Sequence, residues 1–282
     1  PSFSPQLRSG VSRSSAFASS TAGSTAGSTT GSKRVFFIRH GQAEHNVFFE
    51  SGRKEEGRKI IDPGLTKLGF EQAKSVAREP MLTELLQRDS TENEKPLIVV
   101  SPLRRTLQTA LAAFQPFVDT QAQRGKPVEF VCNADIQETG EINCDCGSPL
   151  NRLTEEFSDF SFIDFSDLSE DWHEKKGDYR DQGQLLLKRF NRFKKWVSER
   201  PEKTVIVVGH HNIFLANLGI SFKNCEVREY VADGDNWTPV FPLVSSHDDE
   251  LSEEDRKHIG IYGGHAKWKM ETWGIPAPAR FR

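Results

Sequence analysis

Three things are scarce in this sequence, and each scarcity removes a class of function. Cysteine is the first: Cys132, Cys144, Cys146 and Cys225 are too few for a disulfide framework in a chain of 282 residues, which points to a reducing compartment. Cys144 and Cys146 have the spacing of half a soft-metal site. No Cys or His pair stands at zinc-ligand spacing nearby, so they are read as structural or incidental thiols and no metal is expected. Long apolar runs are the second: nothing approaches the roughly 20 residues that span a bilayer, the longest being strand-sized pieces such as VIVV. A membrane is therefore not expected as a partner. The third is an excess of positive charge. The 37 Lys and Arg are scattered among 40 Asp and Glu, for a formal net charge of −3, whereas a nucleic-acid binder gathers basic residues on one face or arm. Nucleic acid is not expected either.

What remains is the composition of a globular protein, 36% hydrophobic and 27% charged, long enough to bury a large core in one domain. Residues 1–32 are Ser, Thr, Ala and Gly with little to bury, so they are expected to be a disordered tail. Arg8, Arg13 and the lack of any acidic residue before Glu44 also suit an organellar transit segment. A cytoplasmic location is the first expectation and organellar import the alternative. The domain proper is expected over 33–282.

From Arg34 short apolar runs alternate with amphipathic stretches, which is the pattern of an α/β fold. VFFI (35–38), LIVV (97–100), VEFV (128–131) and TVIVV (204–208) read as strands buried on both faces. Thr66 is placed to cap a helix running to about Ala77, and Pro102 to begin one that ends near Phe117. Leu186, Phe190, Phe193 and Val197 recur on one helical face behind Asp181, an apolar stripe destined for the core. Residues 147–180, acidic and aromatic without periodicity, read as an inserted lid or subdomain. One further strand is expected near Glu226 to Val231.

Polar residues of one chemical kind follow three of the strands: Arg39, His40 and Gly41; Ser101, Arg104 and Arg105; Gly209, His210 and His211. In a parallel sheet the carboxyl ends of the strands share an edge, and ligands bind there. Histidines with arginines suit a tetrahedral anion better than a metal, because the planar guanidinium matches phosphate oxygens and repels a cation. A phosphate dianion repels a nucleophile, so its oxygens must be neutralised before an imidazole approaches. That imidazole needs its other nitrogen held, and a carbonyl near Gly41 is the expected holder.

RHGQAEHN, SPLRRTLQTA, QETG and VVGHHN, in that order, resemble the histidine phosphatase superfamily, in its phosphoglycerate mutase-like branch, over residues 34 to about 231. The resemblance implies a three-layer α/β/α fold around a central, mostly parallel sheet. It also implies hydrolysis of a small phosphomonoester through a phosphohistidine, with no metal or other cofactor. His40 would attack phosphorus, Arg39 and Arg105 would grip the phosphoryl oxygens, Asn46 would add a neutral hydrogen bond, and His210 would be the second pocket histidine. Glu138 would donate a proton to the leaving oxygen and later take one from water, with Glu141 as the competing candidate. Arg104 becomes a surface neighbour. His211 departs from the glycine usual at its position. A bisphosphoglycerate-dependent mutase is the alternative, disfavoured because VFFESGRKEEGRKIIDPGLT lacks the tryptophan-containing segment of true mutases; a catalytically weak interaction module is the other. Arg53, Lys54, Arg58 and Lys59 form a basic loop that would be either a solvated face or a contact for a second acidic group of the substrate. Oligomeric state is not set by these motifs.

Overall fold

The computed structural model describes residues 31–87 and 95–240. The expected tail over 1–32 lies outside them apart from its last two residues, as does the chain beyond residue 240. In chain order the elements are β1 (Lys33–Arg39), α1 (Glu44–Glu50), α2 (Lys54–Gly57), α3 (Lys67–Val76), α4 (Pro80–Gln87), β2 (Leu97–Val100), α5 (Arg104–Gln123), β3 (Phe130–Cys132), α6 (Leu150–Glu156), β4 (Ile163–Asp164), α7 (Gly183–Glu199), β5 (Thr204–Gly209), α8 (His211–Leu218), β6 (Val227–Asp233) and β7 (Asn236–Pro239).

The strands form one sheet in the order β4-β3-β2-β5-β1-β6-β7. The run from β4 to β1 is parallel, and β6 and β7 close the far side antiparallel. Alternation along the central strands decides which layer each side chain joins. Phe36, Ile38, Ile98, Val100, Ile206 and Val208 pack on one face with residues of α3, α4 and α5. Val35, Phe37, Leu97, Val99, Val205 and Val207 pack on the other with α7 and α8. Both faces being covered is what makes the runs continuous rather than alternating in hydropathy, and the result is the three-layer α/β/α arrangement.

Thr66 caps α3 as expected, its hydroxyl accepting from Gly69 N at 3.0 Å. α5 differs from expectation at both ends. It starts at Arg104 rather than Pro102, because Asp62 Oδ1 accepts the Arg104 N–H at 3.0 Å and caps the helix from a distant loop. It then runs past Pro116 to Gln123, since Val118 and Gln121 bury beyond the proline. β3 is shorter than VEFV and shifted toward Cys132. Residues 147–180 do not stand apart: they supply β4, parallel to β3, and send Leu153, Phe157, Ile163, Leu168 and Trp172 into the main core. β7 was hidden in a polar stretch. Trp237, buried against Phe37, Phe190 and Phe193, holds it in place. Among the described residues no helix is long and apolar enough to cross a membrane.

Candidate active site

Register brings the histidines together. β1 and β5 are parallel neighbours with Arg39 opposite Gly209, so the next residue on each strand, His40 and His210, emerges at the same height. Their ring centroids lie 5.3 Å apart, about one inter-strand spacing. β2 is the other neighbour of β5 and delivers Ser101, whose hydroxyl shares a 2.7 Å hydrogen bond with His210 Nε2. Arg105, one residue into α5, is wholly buried and close enough to both histidines to push their pKa down.

The His40 ring is fixed in one tautomer. Nδ1 lies 2.7 Å from Gly41 O; a carbonyl only accepts, so Nδ1 carries the proton and Nε2 keeps its lone pair. Gly41 can fold back this tightly because nothing stands on its Cα. A Cβ there would sit 2.5 Å from Gly69 O, and one on Gly69 would sit 2.0 Å from Gln42 O. The glycine after His40 is therefore a backbone crossing point between the loop that follows β1 and the start of α3. Gly69→Ala is expected to cost on the order of 3 kcal/mol, read as a lowered urea midpoint; an unchanged midpoint would show that the loops separate freely.

The other predicted residues gather at the same edge. Arg39 is half-buried and donates through Nη1 to Phe222 O at 2.8 Å. Asn46 on α1 accepts from Ala43 N at 2.9 Å, which orients its amide so that Nδ2 donates to His45 Nε2 at 3.2 Å. Arg105 donates through Nη1 to Cys144 O at 2.7 Å, and its Nη2 lies 3.6 Å from Asp145 Oδ1. Glu138 is buried, its carboxylate accepting from Thr139 N at 2.9 Å, Ile213 N at 3.1 Å and Asn212 N at 3.3 Å, two of them in the first turn of α8. Glu141 is exposed and accepts from Asp181 N. Arg104 pairs with Glu156 on the surface at 2.8 Å.

Arg39, His40, Asn46, Glu138 and His211 are among the residues lining a cavity of about 640 Å³. From the basic loop Lys54 and Arg58 reach its lining, while Arg53 and Arg58 pair with Glu56 and Glu55. Some buried polar atoms near it have no hydrogen-bond partner: Nδ1 of the lining residue His45, and Arg105 Nε and His210 Nδ1 on fully buried residues outside the lining. Buried polar groups are almost always satisfied, so such a cluster marks a place that suits an anion. Among the described residues no group of three or more His, Cys, Asp or Glu is arranged to hold a metal ion.

His45 and Asp145 are cavity residues that sequence reasoning did not single out. His45 stands 6.1 Å from His40, ring to ring; the signal available was its place inside RHGQAEHN. Asp145 follows the third motif, and only folding brings it beside Arg105.

Burial, then Arg105 and Arg39, push the pKa of His40 well below its usual 6.5; burial and Arg105 do the same for His210, and His45 is brought down to about 2. The folded values are depressed, so the unfolded chain binds more protons as pH falls. Stability from these neutral rings is complete above about 6.5 and is lost below it, by about 1.4 kcal/mol per ring per pH unit. Asp145, pushed up to about 6 by burial and by Glu138, works in the opposite sense, as do Asp62 and Asp135, both raised chiefly by burial. With the rings titrating first, the urea midpoint is expected to drop between pH 7.5 and 6. A flat profile there would mean the rings are not held neutral.

Compared with known proteins, residues 35–219 match the sequence model of the histidine phosphatase superfamily (branch 1). A phosphoglycerate mutase-like protein of Arabidopsis thaliana is 27% identical over 237 residues, covering 71% of this chain and 84% of that protein. A probable phosphatase of Schizosaccharomyces pombe is 28% identical over 182 residues, 63% of this chain and 74% of that one. Among solved structures, the ecdysone phosphate phosphatase of Bombix mori, in complex with tungstate, superposes with a TM-score of 0.47 at 15% identity, covering 79% of this chain and 98% of the other.

Proposed function

The chain belongs to the histidine phosphatase superfamily, branch 1, and from that premise we propose that it hydrolyses phosphomonoesters through a phosphohistidine on His40. The observation that carries the reading is the His40 tautomer: Nδ1–H is tied to Gly41 O, so Nε2 keeps its lone pair on a residue that lines the cavity, with unsatisfied buried polar atoms on His45, His210 and Arg105.

In the first half-reaction Nε2 attacks phosphorus and the bond to the ester oxygen breaks. Glu138 gives that oxygen its proton, and the alcohol leaves. Arg39, Arg105, Asn46 and a protonated nitrogen of His210 hold the phosphoryl oxygens, offsetting the charge that would repel the imidazole. In the second half-reaction Glu138, now a carboxylate, takes a proton from water as the water attacks phosphorus. The P–N bond breaks, His40 is restored neutral, and inorganic phosphate departs.

The test is a rate screen over sugar phosphates, nucleotides, phosphoglycerates and phosphopeptides, with mutase activity measured in parallel and the phosphoenzyme trapped by alkaline quench. Release of inorganic phosphate with an acid-labile phosphoenzyme supports hydrolysis. Phosphoryl exchange between phosphoglycerates without net release would assign the mutase reaction instead. Because two arginines supply the positive charge that a metal would otherwise bring, exhaustive chelation is expected to leave the rate unchanged, and a rate restored only by added magnesium or zinc would contradict the mechanism.

A further inference from the structure

The loop that carries Glu138 is gripped from behind by α7. Arg189 lies on the inner face of that helix beside Leu186, Phe190 and Phe193 and is fully buried. Its guanidinium spreads over three carbonyls: Nη1 donates to Gln137 O at 2.7 Å and Asp135 O at 3.3 Å, and Nη2 donates to Glu138 O at 3.2 Å. Lys175 Nζ donates to the same Glu138 O at 2.7 Å, so two N–H donors converge on that carbonyl. One turn further along α7, Arg192 holds the Asp135 carboxylate at 2.5 and 3.1 Å. The far side of the residue is fixed as well, by the backbone N–H groups that seat its carboxylate.

A buried guanidinium is a costly way to fill a core position. Desolvation lowers its pKa to about 10 even with Glu138 and Asp135 nearby, and an aliphatic side chain would pack there without that penalty. What an aliphatic side chain lacks is a planar fork able to fix several carbonyls at once. We infer that Arg189 is a positioning residue that, with Lys175 as a second tether, locks the Glu138 backbone so that its carboxyl meets the leaving oxygen; the inference rests on the reading of Glu138 as proton carrier.

The test compares kcat/KM, which reports phosphoryl transfer to His40, for an alkyl phosphate and an activated aryl phosphate in Arg189→Met, Arg189→Lys, Lys175→Met and Glu138→Gln, with the inhibition constant of inorganic phosphate as the binding control. Misplacing a proton donor by an ångström is worth about 10²-fold, and only the alkyl substrate needs the proton. Arg189→Met is expected to lower the alkyl rate about 100-fold and the aryl rate less than about 10-fold, with phosphate inhibition unchanged. Arg189→Lys and Lys175→Met should move the ratio in the same direction by smaller factors, and they decide the matter if Arg189→Met does not fold. A purely structural arginine would lower both rates together or weaken phosphate binding; either result overturns the inference. Glu138→Gln separates the two levels: if it distinguishes the leaving groups and the other variants do not, positioning alone fails, and if it does not distinguish them, the proton-carrier reading falls and the inference with it.

Discussion

His40→Ala is expected to abolish turnover, with a loss on the order of 10⁴-fold or more, and to remove the acid-labile phosphoenzyme while the circular dichroism spectrum stays unchanged. The fold should survive because the backbone of residue 40 keeps its bonds to Gly209 O and Asn224 Nδ2, and the side chain's one hydrogen bond is to its own neighbour's carbonyl. Two other imidazoles lie close enough to compete, His210 at 5.3 Å and His45 at 6.1 Å between ring centroids. His45 Nε2 receives the Asn46 amide, and His210 Nε2 is engaged by Ser101. His40 alone of the three has one nitrogen tied to a carbonyl and the other left as a lone pair. A label that persists in the variant, or that maps to His45 or His210, would overturn the assignment.

Glu138→Gln should divide substrates by leaving group. An alkoxide is a strong base and its departure without a proton is slow, general-acid help being worth about 10²–10⁴-fold; an activated aryl oxide leaves unaided. Hydrolysis of an alkyl phosphate is therefore expected to fall by roughly that factor and of an aryl phosphate by far less. Phosphate affinity should hold, since Arg39 and Arg105 are untouched. Glu141→Gln is the control, expected to be nearly silent because Glu141 is exposed and its carboxylate accepts from the Asp181 backbone rather than being seated in the buried loop. If the two variants exchange behaviours, the proton comes from Glu141.

Much of this was legible in the sequence for a definite physical reason. Strands covered on both faces must be apolar throughout, so VFFI, LIVV and TVIVV declare themselves, and the polar residue that a strand delivers at its carboxyl end follows its run within two positions, as His40, Ser101 and His210 do. The illegible parts depend on partners far away in the chain. Asp62 caps α5 from another loop, so the start of that helix could not be read from Pro102. Trp237 makes a strand of a polar stretch only because Phe37, Phe190 and Phe193 await it. Arg189 and Lys175 act on carbonyls, which every residue has and which leave no mark in a sequence. Residues 147–180 lacked periodicity because they pack through scattered aromatic anchors rather than through one helical or pleated face.

The place of β5 in the sheet bears on how the protein is made. β1 and β2 leave the ribosome early, yet they are never neighbours; each waits for β5, which is synthesised long afterward and must slot between them. Until Thr204–Gly209 emerges, both strands present open edges of unpaired amides and carbonyls, a template for wrong pairing. A nascent chain arrested short of Thr204 would thus be sticky and would lack half of its site, with His40 already synthesised but the opposite His210 not yet present.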